Sequence, residues 1–196
     1  MSGFDNSGQD ALPASWKEIQ RATRQLGFDM PSEPRTAVLL RALAASKPGG
    51  RLLEIGTGTG LATAALLAGM DDVARLVSVD VDPVAQQIAQ TYLGFDQRVR
   101  FVLGDGLEFL RTQSPQSFDL VFADAIPGKY DDLPAALTLV RPGGFYIGDD
   151  MLPQQNWPPG HQERVDALSD KLSALSGWTL LNLAWGSGFV IAVRLA

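Results

Sequence analysis

Acidic side chains recur where this sequence passes from an apolar run into a turn. Asp80 closes Arg75-Leu76-Val77-Ser78-Val79, and Asp105 lies in Gly104-Asp105-Gly106 after another such run. Asp124 follows a run ending at Ala123, and Asp149-Asp150 follows one ending at Gly148. A carboxylate just past a strand can accept from both hydroxyls of a sugar or from an exocyclic amino group. Glu54 lies inside the first run, two residues before Gly56, where a buried carboxylate needs a partner such as an ammonium, reached directly or through water. Gly56-Thr57-Gly58-Thr59-Gly60 comes next. Residues without Cβ there let the main chain pass close beneath a ligand.

The spacing of those glycines bears on which ligand. A dinucleotide fingerprint is G-x-G-x-x-G, with the following helix aimed at a pyrophosphate. Here the glycines alternate, and Leu61 stands where the third dinucleotide glycine would be. That favours a nucleoside ligand without a pyrophosphate, such as S-adenosylmethionine, over NAD.

These residues need a scaffold that brings strand ends to one edge. Apolar spacing predicts a helix over 13–26 and a second over 35–46, with Gly27 and Pro48-Gly49-Gly50 as stops. The strand before the glycine turn is then followed by a helix over 61–70. Further strands are predicted over 75–80, 99–103, 118–123 and 145–148. Between them come helices to about residue 93 (Asp82 as N-cap, Pro83 at N1), to about 112 and over 130–140. A Pro-rich loop over 151–160 leads to a helix over 161–175. Strands over 178–184 and 188–195 are joined by Trp185-Gly186-Ser187 and must pair antiparallel. The whole reads as an α/β doubly wound, mostly parallel sheet, whose ligands sit outside the carboxyl ends of its strands. Residues 1–12 read as a disordered arm and 13–196 as one domain, with N-terminal helices over 13–47.

The chain has 196 residues, enough for one domain with a sizeable core. Its net charge of −6 and lack of a long Lys/Arg run give no footprint for nucleic acid or an anionic membrane. It has no cysteine, which excludes disulfides, thiolate metal sites and a cysteine nucleophile, and fits a cytoplasmic protein. The N-terminus does not read as a signal sequence, and no apolar run is long enough to span a bilayer.

From about residue 30 onward, the glycine turn, the acids after successive strands and the antiparallel terminal pair resemble the class I S-adenosylmethionine-dependent methyltransferases. That resemblance implies a seven-stranded, Rossmann-like methyltransferase fold. The implied cofactor site is Met30, Glu54, Gly56, Thr57, Gly58, Gly60, Asp80, Val81, Gly104, Asp105, Gly106 and Asp124. Within the class, the chain is most similar to small O-methyltransferases of the catechol and caffeoyl-CoA type, in which acids after the fourth and fifth strands hold a divalent metal. The resemblance therefore implies a metal site at Asp124, Asp149 and Asp150. Three acids in a small space repel one another, and all-oxygen ligation suits Mg²⁺. Such an ion would orient the acceptor hydroxyl and lower its pKa.

Two positions depart from that family pattern. Asp150 stands where an Asn is usual, adding negative charge. Pro127 stands where the catechol-type enzymes place a lysine base, with Lys129 two residues further on. Asp124 and Lys129 are the candidate catalytic pair. Tyr130 matches a family tyrosine, and Trp157 and His161 are candidates for the acceptor pocket. The expectation is methyl transfer to a small-molecule acceptor, through a hydroxyl, by a protein that forms homodimers as its family often does. Metal-independent transfer to another acceptor, a non-catalytic cofactor-binding module and an NAD-dependent oxidoreductase are the competing readings.

Overall fold

The computed structural model describes residues 12–196. Most of the expected arm lies outside the described residues, but Leu12 packs against the core. Helices α1 (Trp16–Leu26) and α2 (Pro34–Ala45) precede β1 (Arg51–Ile55). Then follow α3 (Leu61–Gly69), β2 (Arg75–Asp80), α4 (Pro83–Leu93), β3 (Val99–Leu103), α5 (Gly106–Thr112) and β4 (Phe118–Ala123). The chain ends with α6 (Leu133–Leu139), β5 (Val140–Gly148), α7 (His161–Ser173), β6 (Trp178–Leu183) and β7 (Phe189–Arg194). No helix among the described residues is long and apolar enough to cross a membrane.

The strands form one seven-stranded sheet in the order β3-β2-β1-β4-β5-β7-β6. Strands β1 to β5 are parallel, whereas β7 runs antiparallel to both β5 and β6. Central strands are apolar at consecutive positions because both faces are covered. Leu52 and Phe122 pack on the side of α1, α2 and α3, while Leu53 and Val121 pack on the side of α6 and α7. The alternation is the two-residue period of a strand, applied to two cores at once. Parallel β1 and β4 put their carboxyl ends side by side, with Ile55 opposite Ala123. Gly148 in turn lies opposite Ala123.

Two elements differ from the sequence expectation. The helix expected over 130–140 begins at Leu133, because Asp132 is left-handed (φ 52°) and Pro127 bridges to Asp131. Tyr130 therefore stays in the loop after β4. Strand β5 begins at Val140 rather than 145, with an irregular register against β4 that absorbs Pro142-Gly143-Gly144.

Candidate active site

A cavity of about 530 Å³ opens at the carboxyl ends of β1, β2, β4 and β5. One end of it is built by the turn after β1. The Gly58 N–H donates to Asp80 Oδ2 at 2.7 Å, and the Asp82 N–H donates to Asp80 Oδ1 at 2.8 Å. Two backbone donors thus fix the Asp80 carboxylate at the cavity wall, and each oxygen keeps a lone pair to accept from a ligand. Below the turn, the Thr57 and Ser78 hydroxyls are 2.6 Å apart, and Gln86 Nε2 donates to Thr57 Oγ1 at 3.2 Å. The Thr23 and Thr59 hydroxyls, 2.7 Å apart, tie α1 to the same turn. Helix α1 ends at left-handed Gly27, and residues 28–33 then cross the cavity mouth, where Met30 is 65 % exposed.

Most of the expected cofactor residues line this cavity: Met30, Gly56, Thr57, Gly58, Asp80, Val81, Asp105, Gly106 and Asp124. Asp105 caps α5, with Oδ1 accepting from the Leu107 and Glu108 N–H groups, so only one oxygen is committed to the cap. Glu54, Gly60 and Gly104 lie off the wall.

Glu54 is fully buried behind the turn, and its Oε2 accepts from the Thr63 and Ser78 hydroxyls. Its other oxygen has no partner among the described residues, and burial pushes its pKa up to about 8. Among the described residues, Glu54 meets the hydroxyls of α3 and β2 through Oε2 alone. Gly60 serves packing: a Cβ there would come within 2.6 Å of Ala89 Cβ on α4. Gly104 N–H donates to the Asp80 carbonyl at 2.8 Å and so supports Asp80 through the backbone.

The other end of the cavity is lined by Asp124, Lys129, Tyr130, Asp149, Asp150, Trp157 and His161, so the expected catalytic and acceptor residues are brought together. Burial, followed by repulsion from Asp149, holds the Asp124 carboxyl well above the usual range, while Lys129 opposes this. Asp149 is raised too, by burial and then by Asp150. Its Oδ1 accepts from Ser187 Oγ and, at 2.7 Å, from the Asp150 N–H. Asp150 itself is left-handed, with φ 54°. Tyr130 Oη and His161 Nε2 form a hydrogen bond, and the Trp157 ring lies 4.4 Å from the His161 ring between centroids. Trp157 Nε1 is buried without a partner among the described residues. Trp185 Nε1 donates to the Arg35 carbonyl outside the cavity, so Trp185 packs rather than lining it.

The three carboxylates share a wall but do not form a metal cage. Among the described residues, no three carboxylate or imidazole groups converge on a point where a metal ion could sit. Asp149 already has one oxygen held by two donors, and the donor set as arranged does not fit the Mg²⁺ site that the resemblance implied. Sequence reasoning also missed Ser187 and the strap residue Phe28, whose ring lies 3.3 Å from where a Gly58 Cβ would be. Ser187 was visible only as part of a turn joining two strands.

The family described as Methyltransferase domain matches residues 53–151, from β1 through the turn after β5. The chain belongs to this methyltransferase-domain family. A curated Mycobacteroides abscessus protein with a provisional O-methyltransferase name is 32% identical over 138 residues, covering 66% of this chain and 64% of that protein. The chain thus spans a little under two thirds of that relative. A solved Klebsiella pneumoniae structure, also provisionally named an O-methyltransferase, aligns at 25% identity with a TM-score of 0.80, covering 93% of this chain and 90% of that one. The Bacillus cereus O-methyltransferase, solved in complex with S-adenosylhomocysteine, shares the fold at 22% identity and a TM-score of 0.80, with 92% and 90% covered. In this methyltransferase domain, the glycine turn and the Asp80 wall fall inside the matched segment, and the Trp157–His161 loop falls outside it.

Proposed function

We propose that this protein transfers the methyl group of S-adenosylmethionine to a hydroxyl of a small-molecule acceptor. The observation that carries the reading is one continuous cavity with two chemically different ends. Asp80 and the Gly56–Gly58 backbone suit a ribose, and Asp105 suits an adenine amino group. Asp124, Lys129 and the aromatic wall suit a polar acceptor held nearby. The orphaned Trp157 Nε1 adds a donor in want of an oxygen acceptor.

Methyl transfer is an in-line displacement. The acceptor oxygen forms a bond to the methyl carbon, the carbon–sulfur bond breaks, and its electron pair goes to sulfur, leaving S-adenosylhomocysteine. The protein's part is alignment and removal of the hydroxyl proton. Asp124 is the proposed acceptor of that proton, with Lys129 beside it on the same cavity wall. The metal-assisted version has three acids on one wall in its favour and the donor arrangement against it. A non-catalytic cofactor-binding module would leave the acceptor end without a role.

The test combines calorimetry with S-adenosylmethionine and NADH, followed by labelled methyl transfer to a panel of hydroxyl compounds. Binding of S-adenosylmethionine and label in a methyl ether product are expected. Binding of NADH alone contradicts the reading, and cofactor binding without transfer to any acceptor favours the module.

A further inference from the structure

Resting on the methyl-transfer reading, one imbalance of charge at the acceptor end calls for an account. Asp124, Asp149 and Asp150 line one wall, and no three such donors converge for a metal. Lys129 is the only lysine or arginine among the described residues lining this cavity. The residue is 4% exposed, and its ammonium lies 4.9 Å from the centre of the Tyr130 ring. Among the described residues it forms no ion pair within 4.0 Å. The Tyr130 ring face is its one close partner, and a largely enclosed ammonium held beyond ion-pair distance of any carboxylate depends on the charge around it. Here the surrounding charge is the carboxylate wall, and Lys129 acts electrostatically on both Asp124 and Asp149. The separation also leaves a gap between cation and carboxylates rather than a closed contact.

We propose that the Lys129 ammonium, not a divalent metal ion, is the resident cation of this carboxylate wall, and that the acceptor oxygen sits between it and Asp124. The Lys129 ammonium then stabilises negative charge developing on that oxygen. The hydroxyl proton passes to the Asp124 carboxylate as the oxygen–carbon bond forms and the carbon–sulfur bond breaks. The lysine shifted from position 127 to 129 is thereby given a role other than that of a base. The charged and titratable groups around Lys129 are Asp124 beyond β4, Asp149 and Asp150 beyond β5, neighbouring Tyr130 and Asp131, and His161, Arg164 and Lys171 on α7.

Two measurements on the cofactor-free protein test this. Titration of Mn²⁺ followed by electron paramagnetic resonance is expected to show no stoichiometric site tighter than roughly millimolar. A tighter site lost in Asp149→Asn overturns the proposal. Thermal unfolding is compared at about pH 5 and about pH 8 for the wild type, Lys129→Gln and Lys129→Arg. Without the ammonium, ionised carboxylates repel unopposed, so the loss of Tm toward high pH should grow by about 3 °C or more in Lys129→Gln. Lys129→Arg, which keeps the charge, should match the wild type. An identical pH dependence in Lys129→Gln and the wild type overturns the proposal. Neither readout involves S-adenosylmethionine, so failure here is separable from failure of the methyl-transfer reading, which calorimetry tests.

Discussion

Tyr130 Oη lies 3.1 Å from His161 Nε2, so one hydrogen bond joins the loop after β4 to the first residue of α7 across the acceptor end of the cavity. Burial, then Asp150 and Asp124, raise the phenol pKa, whereas burial and Lys129 lower that of the imidazole. Both partners are therefore neutral near pH 7. Protonating His161 removes its acceptor nitrogen and adds a positive charge facing Lys129 and Arg164. Because its pKa lies below 6.5, the effect belongs to the acidic side of that value. The acceptor KM is expected to rise as pH falls on that acidic side, and this acid limb should be absent in His161→Gln. A limb of equal size in the variant contradicts the assignment. The measurement is a KM profile against pH at saturating cofactor.

Asp80 supplies the charge-assisted hydrogen bonds proposed for the ribose. Asp80→Ala removes them and also frees the Gly58 N–H from its acceptor. Affinity for S-adenosylmethionine should fall about 10- to 100-fold, matching roughly 1.5–3 kcal/mol for hydrogen bonds to a charged group. Calorimetry on the folded variant checks this, and unchanged affinity removes Asp80 from the cofactor site.

Glu54 affects stability through pH. Its folded pKa, raised to about 8 from 4.5, means that the native state binds the proton more tightly than the unfolded chain. Stability from this group is fully present below about pH 4.5 and is lost progressively as pH rises through about 8. Glu54→Gln keeps a hydrogen-bonding group but cannot ionise. It should flatten the decline in Tm between those limits, and a wild-type slope in the variant counts against a buried neutral acid.

Gly60 is left-handed (φ 94°), and a Cβ there would lie 2.6 Å from Ala89 Cβ and 3.0 Å from its Cα. Gly60→Ala forces the turn off α4 and should cost about 2 kcal/mol or more. Gly104 is the contrast, since a Cβ there would meet nothing within 4 Å. The stability of Gly104→Ala should stay within a few tenths of a kcal/mol of wild type. Chemical denaturation of the two variants side by side decides it.

The parts of the fold written in local chemistry were legible. Asp82 caps α4 through the Val84 and Ala85 N–H groups, with Pro83 beside it, as that pair of residues implied. The apolar runs became the expected strands, and the short turn at residues 185–187 joins the antiparallel pair β6 and β7. What failed was non-local. The apolar spacing over 130–140 looks helical, yet Pro127 bridging Asp131 holds Tyr130 in a loop at the cavity. Glu54 finds hydroxyls on α3 and β2 that no spacing rule links to it. The glycines, alike in sequence, divide in the structure: Gly58 meets Phe28 at the cavity, and Gly60 packs on α4.

Ser187 donates to Asp149 across 38 positions of sequence, from a turn whose strand β7 is wedged between β5 and β6. The two ends of the cavity therefore depend on different parts of the sheet. Loosening β7 would withdraw the hydroxyl donor from Asp149 while leaving the Gly58–Asp80 contact in place.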